Sequence, residues 1–288
     1  MFPTDGAMVG ARRTTKTGPM SQLAVERTDI AQRYAETGVV LMRQLLSPTE
    51  VDRIRDVYTT QIETDRSFGF DDGLPADDIL SRYPRIVHPH RRPDSEVGEI
   101  AWELMLDERI LDVVTELIGP ALAAQSMFYF KPPTARGQAL HQDNLYLQAH
   151  PETCIAAWIA VDDCDADNGG LAVVPGSHVI HVMCPEEADP EASFTNVTVP
   201  VPEGIEVVQT EMKAGDVLFF HGSVVHGSRP NSTTDRFRRS LIFHYIPEAS
   251  VEVSTFFQPL ITPDGREVTI QISPDGGPCG EGWSAGGH

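Results

Sequence analysis

His141 and Asp143 stand two apart in ALHQDNLYL, residues 139–147. An imidazole lone pair and a carboxylate oxygen are both ligand types for a divalent transition metal. The flanking apolar residues suggest a β-strand, and on a strand positions i and i+2 share one face. On that reading both side chains point into one cavity and form half of a metal site. The other half must come from a distant segment. GDVLFFHGSVVHGSRPN, residues 215–231, offers His221 and His226. Two histidines and one carboxylate on a single face, with open positions opposite, suit a non-heme Fe(II) oxygenase. Beyond them lies Arg238, in RFRRSLIFHYI. A guanidinium there can pair bidentately with a carboxylate.

Such groups need a scaffold that brings distant strands together. The first part of the chain reads as helical. LAVERTDIAQRYAET (23–37) has apolar residues at helical spacing and ends near Gly38, and VVLMRQLL then reads as a short strand. SPTE, Ser47–Glu50, is a capping box with proline at the first helical position and opens a helix to about Thr64. Residues 96–118 read as one long helix. From about residue 122 the pattern changes to short apolar runs broken by Gly, Pro, Asn and Asp, which signals a β-sandwich or barrel. The segment 65–95 has no clear period, and a long irregular stretch in a compact domain is often a lid or binding loop. Its RYPRIVHPHRRPDSE concentrates positive charge, so Arg85, His88, His90, Arg91 or Arg92 could meet a polar or anionic substrate, against the plainer reading of a solvated loop.

Composition narrows the partners. With 42 acidic and 22 basic residues in 288, the formal charge is −20. Such a surface repels nucleic acid and anionic membranes. No apolar run approaches the roughly 18 residues of a membrane span, and the N-terminus lacks a secretory apolar stretch. Cys154, Cys164, Cys184 and Cys279 show no CxxC spacing, so neither disulfides nor a zinc knot is expected and a cytoplasmic location is the default.

Taken together, MFYFKPP, HQDNLYL, AAWIAVDDCDADNGGLAVVPGSH, GDVLFFHGSVVHGSRPNSTTDRFRR and LIFHY resemble, in order and approximate spacing, the phytanoyl-CoA dioxygenase family of Fe(II)- and 2-oxoglutarate-dependent oxygenases. The resemblance covers roughly residues 30–250. It implies a mainly β fold with packed helices, built on a double-stranded β-helix (jelly-roll, cupin-like) core. The chain then divides into a disordered tail (1–22), a single oxygenase domain (23–250, helical to 120 and jelly roll from 121) and a C-terminal extension (251–288) whose Gly-rich end, with Trp283, is expected to be mobile.

The resemblance also assigns residues. His141, Asp143 and His226 match the iron ligands, so His226 is preferred over His221. Arg238 matches the arginine that grips the far carboxylate of 2-oxoglutarate, with Arg239 as the alternative because of a one-residue difference in spacing. Ser228 matches a partner of the same carboxylate. Met127 and Trp158 match positions lining the cosubstrate pocket, and Gln125 and Tyr146 are further candidates for it. His178 is expected in a supporting role, and His244 is expected to pack in the barrel. The implied cofactors are Fe(II), 2-oxoglutarate as cosubstrate and O₂. The implied reaction is oxidation of a small molecule with release of succinate and CO₂. An aspartate at 143, where related halogenases carry a small residue, favours hydroxylation over halogenation. The charge of −20 disfavours an acyl-CoA and favours an amino-acid-like compound or secondary metabolite. The competing readings are a cupin-like metalloenzyme that does not use 2-oxoglutarate, the same chemistry diverted to desaturation, epoxidation or ring formation, and a non-catalytic binder. Oligomeric state is left open by the sequence.

Overall fold

The computed structural model describes residues 29–70 and 72–274. The expected N-terminal tail, the Gly-rich C-terminus with Trp283 and the first residues of the expected helix from 23 lie outside this range.

Helix α1, Ile30–Thr37, stops at Gly38, whose φ of 71° is left-handed. Strand β1, Val39–Met42, follows. Helix α2, Pro48–Thr64, carries the full capping box: the Ser47 side chain accepts from the Glu50 backbone, and Glu50 accepts from the Ser47 backbone at 2.8 Å. The segment after it holds a short helix α3 (Ile79–Arg82) and strand β2 (Ile86–Val87). The single helix expected at 96–118 is two: α4, Glu96–Met105, and α5, Glu108–Ile118. Leu106 departs from helical geometry, and the Asp107 side chain restarts the chain by accepting from the Arg109 backbone. Apolar periodicity runs through the break unchanged because both helices bury the same layer.

Sixteen strands are formed among the described residues. They are β1, β2, β3 (Ala121–Tyr129), β4 (Gln138–His141), β5 (Ile155–Ala160), β6 (Leu171–Val173), β7 (Glu186–Glu187), β8 (Val197–Thr198), β9 (Val208–Gln209), β10 (Val217–His221), β11 (His226–Ser228), β12 (Ser240–Pro247), β13 (Glu252–Val253), β14 (Leu260–Ile261), β15 (Glu267–Val268) and β16 (Gln271–Ile272). The larger sheet runs β1-β10-β5-β12-β3-β14-β15, with β2 also on β3, and the smaller runs β4-β11-β6-β9. This is the expected mainly β jelly roll with helices. Beyond residue 250, β14 and β15 continue the edge of the larger sheet.

Alternation along β12 explains the two cores. Leu241, Phe243 and Tyr245 face the helices, in a cluster with Ile54, Tyr58, Val113 and Phe128. Ile242 faces the smaller sheet, in a cluster with Met127, Trp158, Leu171, Val173 and Phe220. The helices therefore seal one face of the larger sheet, and the opposite face looks into the barrel. Among the described residues no helix is long and apolar enough to cross a membrane. The expectation of no disulfide fails at Cys184, which is disulfide-bonded. Linear spacing cannot reveal a bond between cysteines joined only by the fold. Cys154 and Cys164 are free and buried, as small apolar side chains.

Candidate metal centre and anion pocket

His141 ends β4 and His226 begins β11, and the two are direct register partners across the antiparallel pair. Opposed residues on one face approach within a few ångströms, so the ring centroids lie 4.2 Å apart. A Cβ on Gly227 would sit 2.8 Å from the Gln138 carbonyl oxygen, so glycine is what lets β11 lie this close to β4 beside the histidine.

Asp143 arrives differently from what the sequence suggests. The strand ends at His141, and Asp143 has helical dihedrals (φ −60°, ψ −35°) at the start of α6, Asn144–Leu147. Its side chain does not cap that helix. The shared face of a strand is thus not what joins His141 to Asp143; a turn of backbone carries the carboxylate back over the histidines. Asp143 Oδ1 lies 3.6 Å from His141 Nε2 and 3.4 Å from His226 Nε2. One ligand atom from each of the three buried residues falls within 4.8 Å of the others.

The tautomers fit a metal. His141 Nδ1 lies 2.8 Å from the Ala139 carbonyl oxygen and His226 Nδ1 lies 2.9 Å from that of Val224. A carbonyl only accepts, so each Nδ1 carries the proton, and in the neutral rings each Nε2 turns a lone pair inward. Two such nitrogens and a carboxylate oxygen are the donor set that Fe(II) takes in facial triads. Burial raises the Asp143 carboxyl, but the neighbouring His226 and His244, with His141, outweigh this and carry it well below the usual range. Burial lowers His226, and the Asp143 charge outweighs this and raises it; His141 stays lowered, chiefly by burial and by His226.

Beside this centre is a narrow cavity whose apolar wall is Met127, Tyr129, Trp158, Leu171, Phe220 and Ile242, and whose polar side includes Gln138, Ser228 and Arg238. Arg238 is 5% exposed. Its Nε donates to the Gly169 carbonyl oxygen at 3.1 Å and its Nη1 to Ser240 Oγ at 3.0 Å, while its guanidinium carbon lies 5.6 Å from the Trp158 ring centre. Arg239 turns outward to Asp162, Nε to Oδ2 at 2.8 Å. The geometry thus separates the two arginines: Arg238 faces the cavity and Arg239 is paired elsewhere.

A second buried cation, which the sequence reading passed over, is Lys131. Its Nζ donates to Ser228 Oγ at 2.6 Å and to the carbonyl oxygens of Arg229 and Gly169 at 2.8 and 3.2 Å. Among the described residues neither Lys131 nor Arg238 has a carboxylate within ion-pair distance. Burial, and next the Arg238 charge, drives the ammonium well below the ordinary lysine value, and burial also lowers Arg238. Two buried cations with no anion are costly unless a ligand supplies the charge. The signal was present in MFYFKPP, a lysine directly following the apolar run Met127–Phe130.

Other candidates fall apart from this set. Gln125 is fully buried beside His244 in register, and its amide has no hydrogen-bond partner among the described residues. It does not line the cavity, and neither does Tyr146, whose ring meets the His141 ring edge-on at 6.1 Å. His221 turns towards Tyr34 and His178, and burial with the His178 charge lowers it to about 4. His178 contacts the Ala35 carbonyl at 3.2 Å. His244, expected to be packing alone, places Nε2 3.0 Å from Asp143 Oδ2. Of the basic loop, Arg85 is buried against Asp72 at 2.7 Å and donates to the Tyr129 hydroxyl at 3.1 Å. His88 and His90 are buried too, and His90 Nδ1 meets Ser126 Oγ at 2.6 Å.

A jelly roll with two histidines on its smaller sheet and an aspartate just beyond β4, beside an apolar cavity lined by a buried arginine, is the architecture of the non-heme iron, 2-oxoglutarate-dependent oxygenases. The phytanoyl-CoA dioxygenase family profile matches residues 34–240, and the chain belongs to that family. Phytanoyl-CoA dioxygenase 1 of Oryza sativa subsp. japonica is 34% identical over 134 residues, 45% of this chain and 46% of that protein. The peroxisomal phytanoyl-CoA dioxygenase of Mus musculus is 27% identical over 234 residues, 74% of this chain and 66% of that one. The chain spans about half the length of the first of these relatives. Among solved structures, the epimerase SnoN of nogalamycin biosynthesis, in complex with Fe3+, alpha ketoglutarate and nogalamycin RO, superposes with a TM-score of 0.61 at 21% identity, covering 78% of this chain and 84% of that one. The non-heme monooxygenase ThoJ superposes at 0.61 with 22% identity, covering 77% and 78%.

Proposed function

We propose that the protein is an Fe(II)- and 2-oxoglutarate-dependent oxygenase that hydroxylates a small molecule, releasing succinate and CO₂. The observation that carries this is the pairing of a lone-pair triad with two buried cations that have no carboxylate within ion-pair distance among the described residues. His141, Asp143 and His226 hold the metal, which with 2-oxoglutarate and O₂ supplies the oxidising chemistry. Arg238, Lys131 and Ser228 hold the distal carboxylate of the cosubstrate. The apolar wall of Met127, Trp158, Leu171 and Ile242 excludes water from its carbon chain. The protein contributes orientation and charge, and the cofactor carries the difficult step.

A metalloenzyme without 2-oxoglutarate has no use for Arg238 and Lys131 at this depth, nor has a non-catalytic binder for the triad. The substrate is expected to be an amino-acid-like compound or secondary metabolite, because the charge of −20 opposes the several phosphates of an acyl-CoA. Relatives of this fold named as an epimerase and a carbocyclase favour keeping epimerisation and ring closure as the second reading.

The test is an anaerobic titration of Fe(II)-loaded protein with 2-oxoglutarate, read by the weak visible charge-transfer band, in wild type and Arg238→Ala. A band in the wild type that weakens in the variant is expected. Iron binding without any band would sink the cosubstrate reading. Product mass then separates the outcomes: gain of one oxygen for hydroxylation, loss of two hydrogens for ring closure, no change for epimerisation.

A further inference from the structure

His141 and His226 are fixed by hydrogen-bonded strands and by the backbone carbonyls of Ala139 and Val224. Asp143 is placed differently: its backbone carbonyl accepts from the Tyr146 and Leu147 N–H groups at 2.9 and 3.1 Å. It lies past the end of β4, in helical conformation, and its side chain caps nothing. Yet its carboxylate must offer one oxygen in a defined direction. A free carboxylate can bind a metal through one oxygen or both. The second oxygen would take a coordination position that the cosubstrate and O₂ need.

We propose that His244 is the positioning residue that commits Asp143 to a single metal-facing oxygen, and this rests on the oxygenase reading above. His244 Nε2 lies 3.0 Å from Asp143 Oδ2, the oxygen turned away from the triad, while Oδ1 faces His141 and His226. An ionised carboxylate only accepts, so Nε2–H donates. Both side chains are almost fully buried, at 2% and 1% exposure, where such a bond is least weakened by water.

The holder is itself well held. His244 sits on β12 between β3 and β5, in register with Gln125 on one side and Ala156 on the other. Ala156, with only a methyl group on the inward face, leaves room for the imidazole. The larger sheet thus reaches across the barrel and fixes the one ligand that the smaller sheet does not. A donor to the non-ligating oxygen of a metal carboxylate also sets its direction, and losing such a partner typically costs 10–100-fold in metal affinity.

The experiment measures Co(II) affinity and the intensity of the 2-oxoglutarate band with Fe(II), in full-length wild type, His244→Ala and His244→Gln. Gln retains an N–H donor. Expected is a Co(II) Kd weakened on the order of 10–100-fold in His244→Ala, with a fainter band, and substantial recovery of both in His244→Gln. Circular dichroism of the metal-free proteins separates misfolding from mispositioning; if the Ala variant does not fold, the Gln variant alone decides, by keeping wild-type affinity or losing it. Co(II) affinity and band unchanged in a folded His244→Ala protein would overturn the proposal and leave the oxygenase reading intact. Wild type that binds metal but gives no band overturns the oxygenase reading, while the Co(II) comparison still judges His244. A wild type that binds no Co(II) overturns both.

Discussion

The two sheets carry different parts of the site. The smaller sheet is built of strands of two to four residues, and it supplies the two histidines from β4 and β11. The larger sheet has strands of nine and eight residues at β3 and β12, buried on both faces, and it lines the cavity with Met127, Trp158 and Ile242. Lys131 and Arg238 bracket that sheet: one follows the end of β3, the other precedes β12, and their backbones exchange hydrogen bonds at 3.0 and 2.9 Å. Chemistry that needs open coordination positions is thus placed on short strands. On the proposed function, the cosubstrate's carboxylate is held beside the long, buried strands, where a charge interaction is least weakened by water.

That division is tested first where the effect is largest. His226→Ala removes a ligand from the smaller sheet. Because loss of a mere partner of a ligand already costs 10–100-fold, metal affinity and turnover should fall by more than about 100-fold. Thermal unfolding of the metal-free protein should change little, since of the larger sheet's aromatic core only Phe220, 4.5 Å from the His226 ring, loses a ring contact. If the metal-free protein melts much earlier, the smaller sheet is structural as well as catalytic. Arg238→Ala should act in the opposite sense. Truncating one partner of a buried charge pair costs 2–5 kcal/mol, so the KM for 2-oxoglutarate should rise on the order of 100-fold. Fe(II) affinity without cosubstrate should stay near wild type. Lys131→Met sharpens the contrast with a smaller effect. A hydrogen bond to a charged group is worth about 1.5–3 kcal/mol, which predicts a KM increase on the order of 10–100-fold. If that variant changes Fe(II) affinity instead, the two halves of the site are coupled.

Sequence and structure agree where local rules decide. The capping box fixed the start of α2, since Ser47, Pro48 and Glu50 act within one turn. The jelly-roll core was legible because each strand carried its own turn signals, and the triad types were legible because metal chemistry restricts them so tightly. Other features depended on the third dimension. The break at Leu106–Asp107 did not disturb the apolar period. Asp143 reads like a strand residue because apolar residues flank HQDN on both sides, and only the fold shows that the backbone bends there. His244 lay among Ile242, Phe243 and Ile246, where a histidine reads as filler until Asp143 is seen opposite its ring. Cys184 had no nearby cysteine to mark it.

The smallest expected effect lies outside both sheets, in the helical layer, and it completes the comparison with a region that has no part in the site. Glu50 closes the capping box of α2 and also accepts from Arg109 Nη2 at 2.6 Å. The Arg109 hydrogen bond, with those from Ser47, outweighs partial burial and lowers this carboxyl from 4.5 to about 2. A carboxyl depressed in the folded state contributes stability that is present above its unfolded value and lost as pH falls through the folded one. The window therefore runs from about 4.5 down to about 2. Glu50 is 35% exposed and Arg109 41%, so solvent screening reduces the contribution to less than about 1 kcal/mol. Urea unfolding of the metal-free protein should find Glu50→Gln weaker than wild type by that margin at neutral pH, with the gap closing as pH falls towards 2. Chelator is needed throughout, so that release of a bound metal on acidification does not add to the difference. A gap that persists at the acid end would assign the effect to the helix cap rather than to the charge pair.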